Sequence, residues 1–121
     1  MVHRTSPMRI SVDESTPIAV VTLDGELDIA TIEPVRETLA KLAAKPRRLI
    51  LDLTELTFCG CAGVRMLLTF QRELAEPGQT VLAGCSREVL RVMDLADVRA
   101  LFDLAGTVDE AREYLLSNVL C

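Results

Sequence analysis

The chain has 121 residues, of which 50% are hydrophobic and 26% charged, with a formal net charge of -5 and only three Phe, one Tyr and no Trp. That length suits one domain whose core must be filled by Leu, Val, Ile and Ala. The acidic balance argues against a partner that is nucleic acid or an anionic membrane, because each needs a concentrated basic surface, and the pairs Arg47-Arg48 and Arg87…Arg91 are short and flanked by acids.

No run reaches the roughly 18–20 apolar residues of a membrane span, and the opening MVHRTSPMRI has no apolar stretch of signal-peptide length. A cytoplasmic protein without membrane insertion is expected, with Cys59, Cys61, Cys85 and Cys121 reduced. A flexible tail is expected over residues 1–8, one domain over 9–117 and a short second tail over 118–121.

In chain order, Met8, Ile10 and Val12 alternate with polar neighbours and predict a first strand ending near Asp13. Ile18 to Leu23 is a β-branched apolar run and predicts a second strand. Asp24-Gly25-Glu26-Leu27-Asp28 reads as the turn that ends it, with Gly25 suited to a positive φ. Thr31 is the expected N-cap of a first helix. Pro34 lies in its first turn, Val35, Leu39, Leu42 and Ala43 line its apolar face, and Pro46 ends it.

Leu49, Ile50, Leu51 and Leu53 are apolar on both faces, as in a buried strand of a parallel sheet. The small-residue turn Phe58-Cys59-Gly60-Cys61-Ala62-Gly63 follows. A second helix then carries Val64, Leu67, Leu68, Phe70 and Leu74 over a wide arc until Pro77-Gly78. Thr80 to Ala83 predicts a fourth strand and Ser86 the N-cap of a third helix. Leu101 to Leu104 predicts a short fifth strand. Thr107-Val108-Asp109-Glu110 has capping-box spacing at the start of a last helix. Alternating strands and helices call for an α/β fold with a mixed, mainly parallel sheet of four or five strands and about four helices. A strand, a turn and a helix in that order place Phe58 to Gly63 at the carboxyl edge of the sheet, where open α/β sheets usually keep their sites.

Three stretches together, over about residues 9–117, resemble the STAS domain of bacterial anti-sigma factor antagonists. Gly25-Glu26-Leu27-Asp28 with Ala30-Thr31 and Pro34 is similar to the family's G-E-L-D-x-A-T region. Leu49 to Leu53 with Leu56-Thr57-Phe58 resembles the strand before the family's signature turn, and Leu95 to Phe102 resembles its L-x-G-L-x-x-L-F stretch. The resemblance implies a protein-binding module rather than an enzyme. Its implied partner is a kinase-type anti-sigma factor, and its effect is release of a sigma factor for transcription.

In that family the turn commonly reads F-x-D-S-S-G or F-x-D-S-T-G, and the last hydroxyl before the glycine accepts a phosphate that abolishes binding. Here Phe58 and Gly63 are kept, Gly60 replaces the Asp, Cys61 the first Ser, and Ala62 the phosphorylated residue. With no hydroxyl on Ala62 there is no phosphorylation at the usual position. Ser86 and Thr57 are the nearest alternative hydroxyls, Ser86 being more readily an N-cap.

The partner surface implied by the resemblance comprises Glu26, Asp28 and Thr31 with Cys59, Gly60, Cys61, Ala62 and Gly63. For Glu26 and Asp28, turn chemistry and capping compete with a contact role. Cys59, Cys61 and Cys85 are read first as small buried residues, with a redox switch replacing the lost phosphate switch as an alternative; Cys61 falls at a helix N-terminus, where thiols become more reactive. No metal site or cofactor is expected, since His3 is the single histidine and lies outside the folded region. The same histidine count argues against hydrolytic catalysis. A scaffold module of a transport or signalling assembly, a thiol redox protein and a nucleotide binder remain as other readings. Pairing with a second copy through an edge strand stays open.

Overall fold

The computed structural model describes residues 8–119, and its centre is the strand β3 (Arg48–Asp52). Leu49, Ile50 and Leu51 are fully buried, Leu49 and Leu51 toward one face and Ile50 toward the other. A strand apolar on both sides needs a covering layer on each face, which parallel connections through helices supply.

The full order is β1 (Arg9–Asp13), β2 (Ile18–Leu27), α1 (Ile32–Ala43), β3, β4 (Leu56–Cys59), α2 (Cys61–Glu73), β5 (Gln79–Ala83), α3 (Arg87–Leu95), a 3-10 turn (Arg99–Leu101), β6 (Leu104–Ala105) and α4 (Val108–Val119). The sheet runs β1-β2-β3-β5-β6, with β4 paired to β2 beyond the end of β3. Among the described strands, only the β1–β2 pair is antiparallel. Residues of α1, α2 and α3 join Leu23, Leu51 and Leu82 in the larger core cluster, while Ala111 and Leu115 of α4 cover Ile18, Ile50 and Val81 on the other face. The expected α/β architecture is therefore present.

Three local expectations are corrected. The strand β2 does not end at Leu23. Its inside-outside alternation continues through Gly25 to Leu27, and Gly25 uses its positive φ of 126° at a bulge inside the strand, where the register with β4 shifts. The strand β4 carries no sequence signal of its own, because its four residues follow the apolar β3 closely and show no strict alternation. The fifth strand expected over Leu101 to Leu104 is instead a 3-10 turn followed by a two-residue strand. Phe102 goes into the core while Leu101 and Leu104 stay exposed.

Both tails fall mainly outside the described residues. Met8 packs against the larger core cluster, and the α4 backbone continues to Val119. Among the described residues no helix is long and apolar enough to cross a membrane.

The starts of α3 and α4 follow side-chain chemistry. Ser86 caps α3 by accepting from the Val89 N–H at 3.2 Å. Thr107 accepts from the Glu110 N–H at 3.1 Å, but the Glu110 carboxylate returns to the Gly106 N–H rather than to Thr107. The C-terminus of α3 closes with Val98 N–H donating to the Met93 carbonyl and Asp97 N–H to that of Asp94, a Schellman arrangement. It forces Asp97 to φ 57°, a conformation that glycine adopts without a Cβ penalty. Asp97→Gly is expected to raise stability by roughly 1 kcal/mol, the order of the left-handed cost for an L-residue. Urea unfolding checks this, and an unchanged or lowered midpoint would contradict it.

Candidate functional site

The site is built on the upper part of β2, which overhangs the shorter β3. Past Thr22, β2 loses β3 as a partner and takes β4 instead, pairing Gly25 with Leu56, Glu26 with Phe58 and Leu27 with Cys59. Because the two strands are parallel and end side by side, Leu27 opposite Cys59, the segments that follow them leave the same edge together. These are Asp28 to Thr31, entering α1, and Gly60, entering α2.

Hydrogen bonds tie the two exits down. The Gly60 N–H donates to the Leu27 carbonyl at 3.1 Å, and the Thr57 hydroxyl donates to the Gly25 carbonyl at 3.0 Å. Thr31 is the residue before α1, yet its hydroxyl makes no capping bond to that helix. It donates to the Glu26 carbonyl at 2.6 Å and accepts from the Asp28 N–H at 3.0 Å, which folds the loop back on the end of β2. The Asp28 carboxylate accepts from the Ala30 N–H at 2.9 Å, a capping role inside the loop. These bonds hold the loop's shape and leave Ile29 at its tip 82% exposed.

The start of α2 is bare. Gly60 is extended and caps nothing with a side chain, and no acidic residue lies in the first turn. The partial positive charge of a helix N-terminus is thus left without compensation from this helix's own side chains. Cys61 is exposed and Ala62 half-buried, with Phe58 (45% exposed) on the strand just before them. Gly63 is buried against the sheet. A Cβ there would lie 2.8 Å from the Cys59 Sγ and 3.0 Å from Leu27, so only glycine lets α2 sit this close to β2 and β4. The candidate residues therefore divide. Glu26, Cys61 and Ala62 lie at the accessible rim, whereas Thr31, Cys59 and Gly63 hold it in place from within.

The loop after β5 reaches the same edge. Gly84 has φ 75°, and a Cβ on it would meet the Thr54 Oγ1 at 2.3 Å. Thr54 donates its hydroxyl to Asp52 at 2.6 Å, which gives Asp52 a structural task in the turn between β3 and β4. The hydroxyls of Thr57 and Ser86 are both engaged, one with Gly25 and one with the α3 N-terminus.

Among the described residues the thiols of Cys59, Cys61 and Cys85 are free and sit in different surroundings. Burial, with the neighbouring thiols of Cys85 and Cys61 adding to it, pushes the Cys59 thiol up to about 12. Burial also pushes Cys85 up to about 11, against the opposing pull of Arg99. Both remain protonated at neutral pH, so neither is an attacking thiolate there. Among the described residues no cluster of His, Cys, Asp and Glu is arranged to hold a metal.

These shifts fix a pH dependence. Each thiol has an ordinary value of 9.0, and the folded chain retains its proton above that value while the unfolded chain releases it. The resulting stabilisation is complete below about pH 9 and is lost as pH rises toward about 11 and 12. Urea unfolding from about pH 8 to about pH 10.5 should show a steeper fall for the natural chain than for the Cys59→Ala/Cys85→Ala variant. Parallel slopes would contradict this account.

The model of the STAS domain matches residues 9–111. Among curated proteins, the chain is similar to the anti-sigma-F factor antagonist RsfB of Mycobacterium tuberculosis, 24% identical over 103 residues that cover 84% of each chain. Among solved structures it is similar to an anti-sigma factor antagonist from Mycobacterium paratuberculosis, with a TM-score of 0.82 at 21% identity, covering 88% of this chain and 92% of that one. It is also similar to the anti-sigma factor antagonist SpoIIAA in its unphosphorylated form, with a TM-score of 0.75 at 26% identity, covering 90% and 97%. A match over most of its length, on the fold just described, makes this chain a member of the STAS domain family.

Proposed function

We propose that this protein is an anti-sigma factor antagonist. It docks on a kinase-type anti-sigma factor through the rim formed by Ile29, Phe58, Cys61 and Ala62, and thereby frees a sigma factor for transcription in the cytoplasm. The names of its relatives support the partner class. The observation that carries the reading is the rim itself: an uncapped α2 N-terminus beside two exposed apolar side chains, held rigidly by the β2–β4 pair. Desolvated apolar anchors around a polar feature are what protein interfaces concentrate their affinity on.

The reading includes a regulatory consequence. A phosphate adds about two negative charges and three strong acceptor oxygens, enough to reverse the electrostatics of a small rim. Ala62 has no side-chain hydroxyl on which to receive it. The docking surface is then intact while its usual off-switch is missing, and the antagonist binds its partner whether or not the partner's kinase activity is running.

Isothermal titration against the nucleotide-binding anti-sigma factors encoded in the same genome tests the docking surface. Ile29→Asp and Ala62→Asp should each weaken binding about tenfold or more, the effect of losing or repelling an interface anchor. Leu116→Asp, at an exposed residue of α4, should leave the affinity unchanged. Equal affinities for the natural chain and all three variants would contradict the proposed surface.

A further inference from the structure

The helices α1 and α2 leave one edge of the sheet and run back in the same direction across one face, and a groove of about 600 Å³ lies between them. That is the volume range of small-molecule sites. Its lower lining is apolar: Leu39 and Ala43 from α1, Met66 and Phe70 from α2, all buried. Ala40 and Ala44 keep the α1 wall low. Along α2 the groove extends from Ala62 to Glu73, about 16 Å at the rise of an α-helix. A groove of that length between packed helices suits an extended chain better than a compact ring system.

The charges are arranged unevenly. Arg36, with Glu33 beside it, and Arg65 face the groove from opposite walls in its upper half, whereas Glu73 lies at the far end without a neighbouring cation in the lining. Arg36 is engaged by Glu33, with Nε 3.6 Å from the carboxylate. Arg65 makes no ion pair among the described residues. A guanidinium presents a planar fork that matches a carboxylate. An anionic head is therefore drawn to Arg65 and repelled by Glu73, while the apolar lining between them accepts a hydrocarbon tail.

We propose that this groove binds an elongated apolar molecule bearing one carboxylate, a fatty acid in chemical class. Its head pairs with Arg65, and its tail runs past Met66 and Phe70 toward Ala43. The site stands apart from the reading of the chain as an anti-sigma factor antagonist and does not depend on it. Ile29 and Ala62 nevertheless line its upper mouth, so an occupied groove adjoins the docking rim.

The probes are dodecanoate and dodecanol, titrated calorimetrically into the full chain below the concentration at which dodecanoate forms micelles. The natural chain should bind dodecanoate saturably, one molecule per chain. Arg65→Gln should weaken dodecanoate about tenfold or more, as expected for a lost charge-assisted pair, and leave dodecanol within about twofold. Ala40→Trp, at an exposed helix position, should fill the groove and abolish binding of both, with an unchanged circular dichroism spectrum. Absence of saturable dodecanoate binding to the natural chain would overturn the proposal. So would undiminished binding in Ala40→Trp, or an Arg65→Gln variant that treats acid and alcohol alike. If Ala40→Trp fails to fold, the comparison of acid and alcohol in Arg65→Gln decides the matter.

Discussion

The pairing of Gly25, Glu26 and Leu27 with β4 is the contact on which the rest of the site depends. The ten residues of β2 span about 33 Å, roughly twice the reach of β3 beside it. Without β4 the end of β2 would stand free, with backbone donors and acceptors unpaired next to a buried Leu27. With β4 in place, the exits to α1 and α2 are anchored to one another and cannot drift apart. Gly25 makes the register shift tolerable, and Gly63 lets α2 close down on the pair. Two glycines thus set the spacing of a surface formed by other residues.

The chemistry at that surface follows from the same packing. A helix N-terminus close to the sheet and free of a side-chain cap is a strong local donor field. In a chain with a hydroxyl there, it would also tolerate a phosphate. This chain keeps the geometry and removes the oxygen. The thiols do not take over by default: Cys59 points inward between α2 and β4, and Cys85 is largely enclosed, so burial suppresses their ionisation. Among the described thiols, Cys61 is the one on the accessible side. The alternation of inward and outward side chains at the end of β4, continued into the first turn of α2, separates these neighbours into different environments.

Much of this was legible in the order of residues. The doubly apolar run Leu49 to Leu51 identified the central strand, the spacing of Val35, Leu39 and Leu42 identified α1, and Ser86 announced α3. The alanine at the acceptor position could be read directly. What escaped was long-range. Nothing local tells the four residues Leu56 to Cys59 that they pair with a strand about thirty residues earlier, so neither β4 nor the last third of β2 has a sequence signal of its own. Thr31 looks like an N-cap because the hydroxyl is in the right place in the chain, yet tertiary geometry turns it toward Glu26. Leu101 and Leu104 suggested a strand by composition, but the Schellman closure at Asp97 redirects the backbone and places them outward. The groove between α1 and α2 was equally invisible, since it arises from small residues on two helices that are distant in sequence.

The central claim is that the docking surface survives without its phosphate switch. Its most direct test is to incubate the natural chain with the proposed partner, a kinase-type anti-sigma factor, and ATP, then measure intact mass and binding affinity on the same sample. The account predicts an unchanged mass and an affinity equal to that of a sample incubated without ATP. A gain of one phosphate accompanied by loss of binding would contradict it.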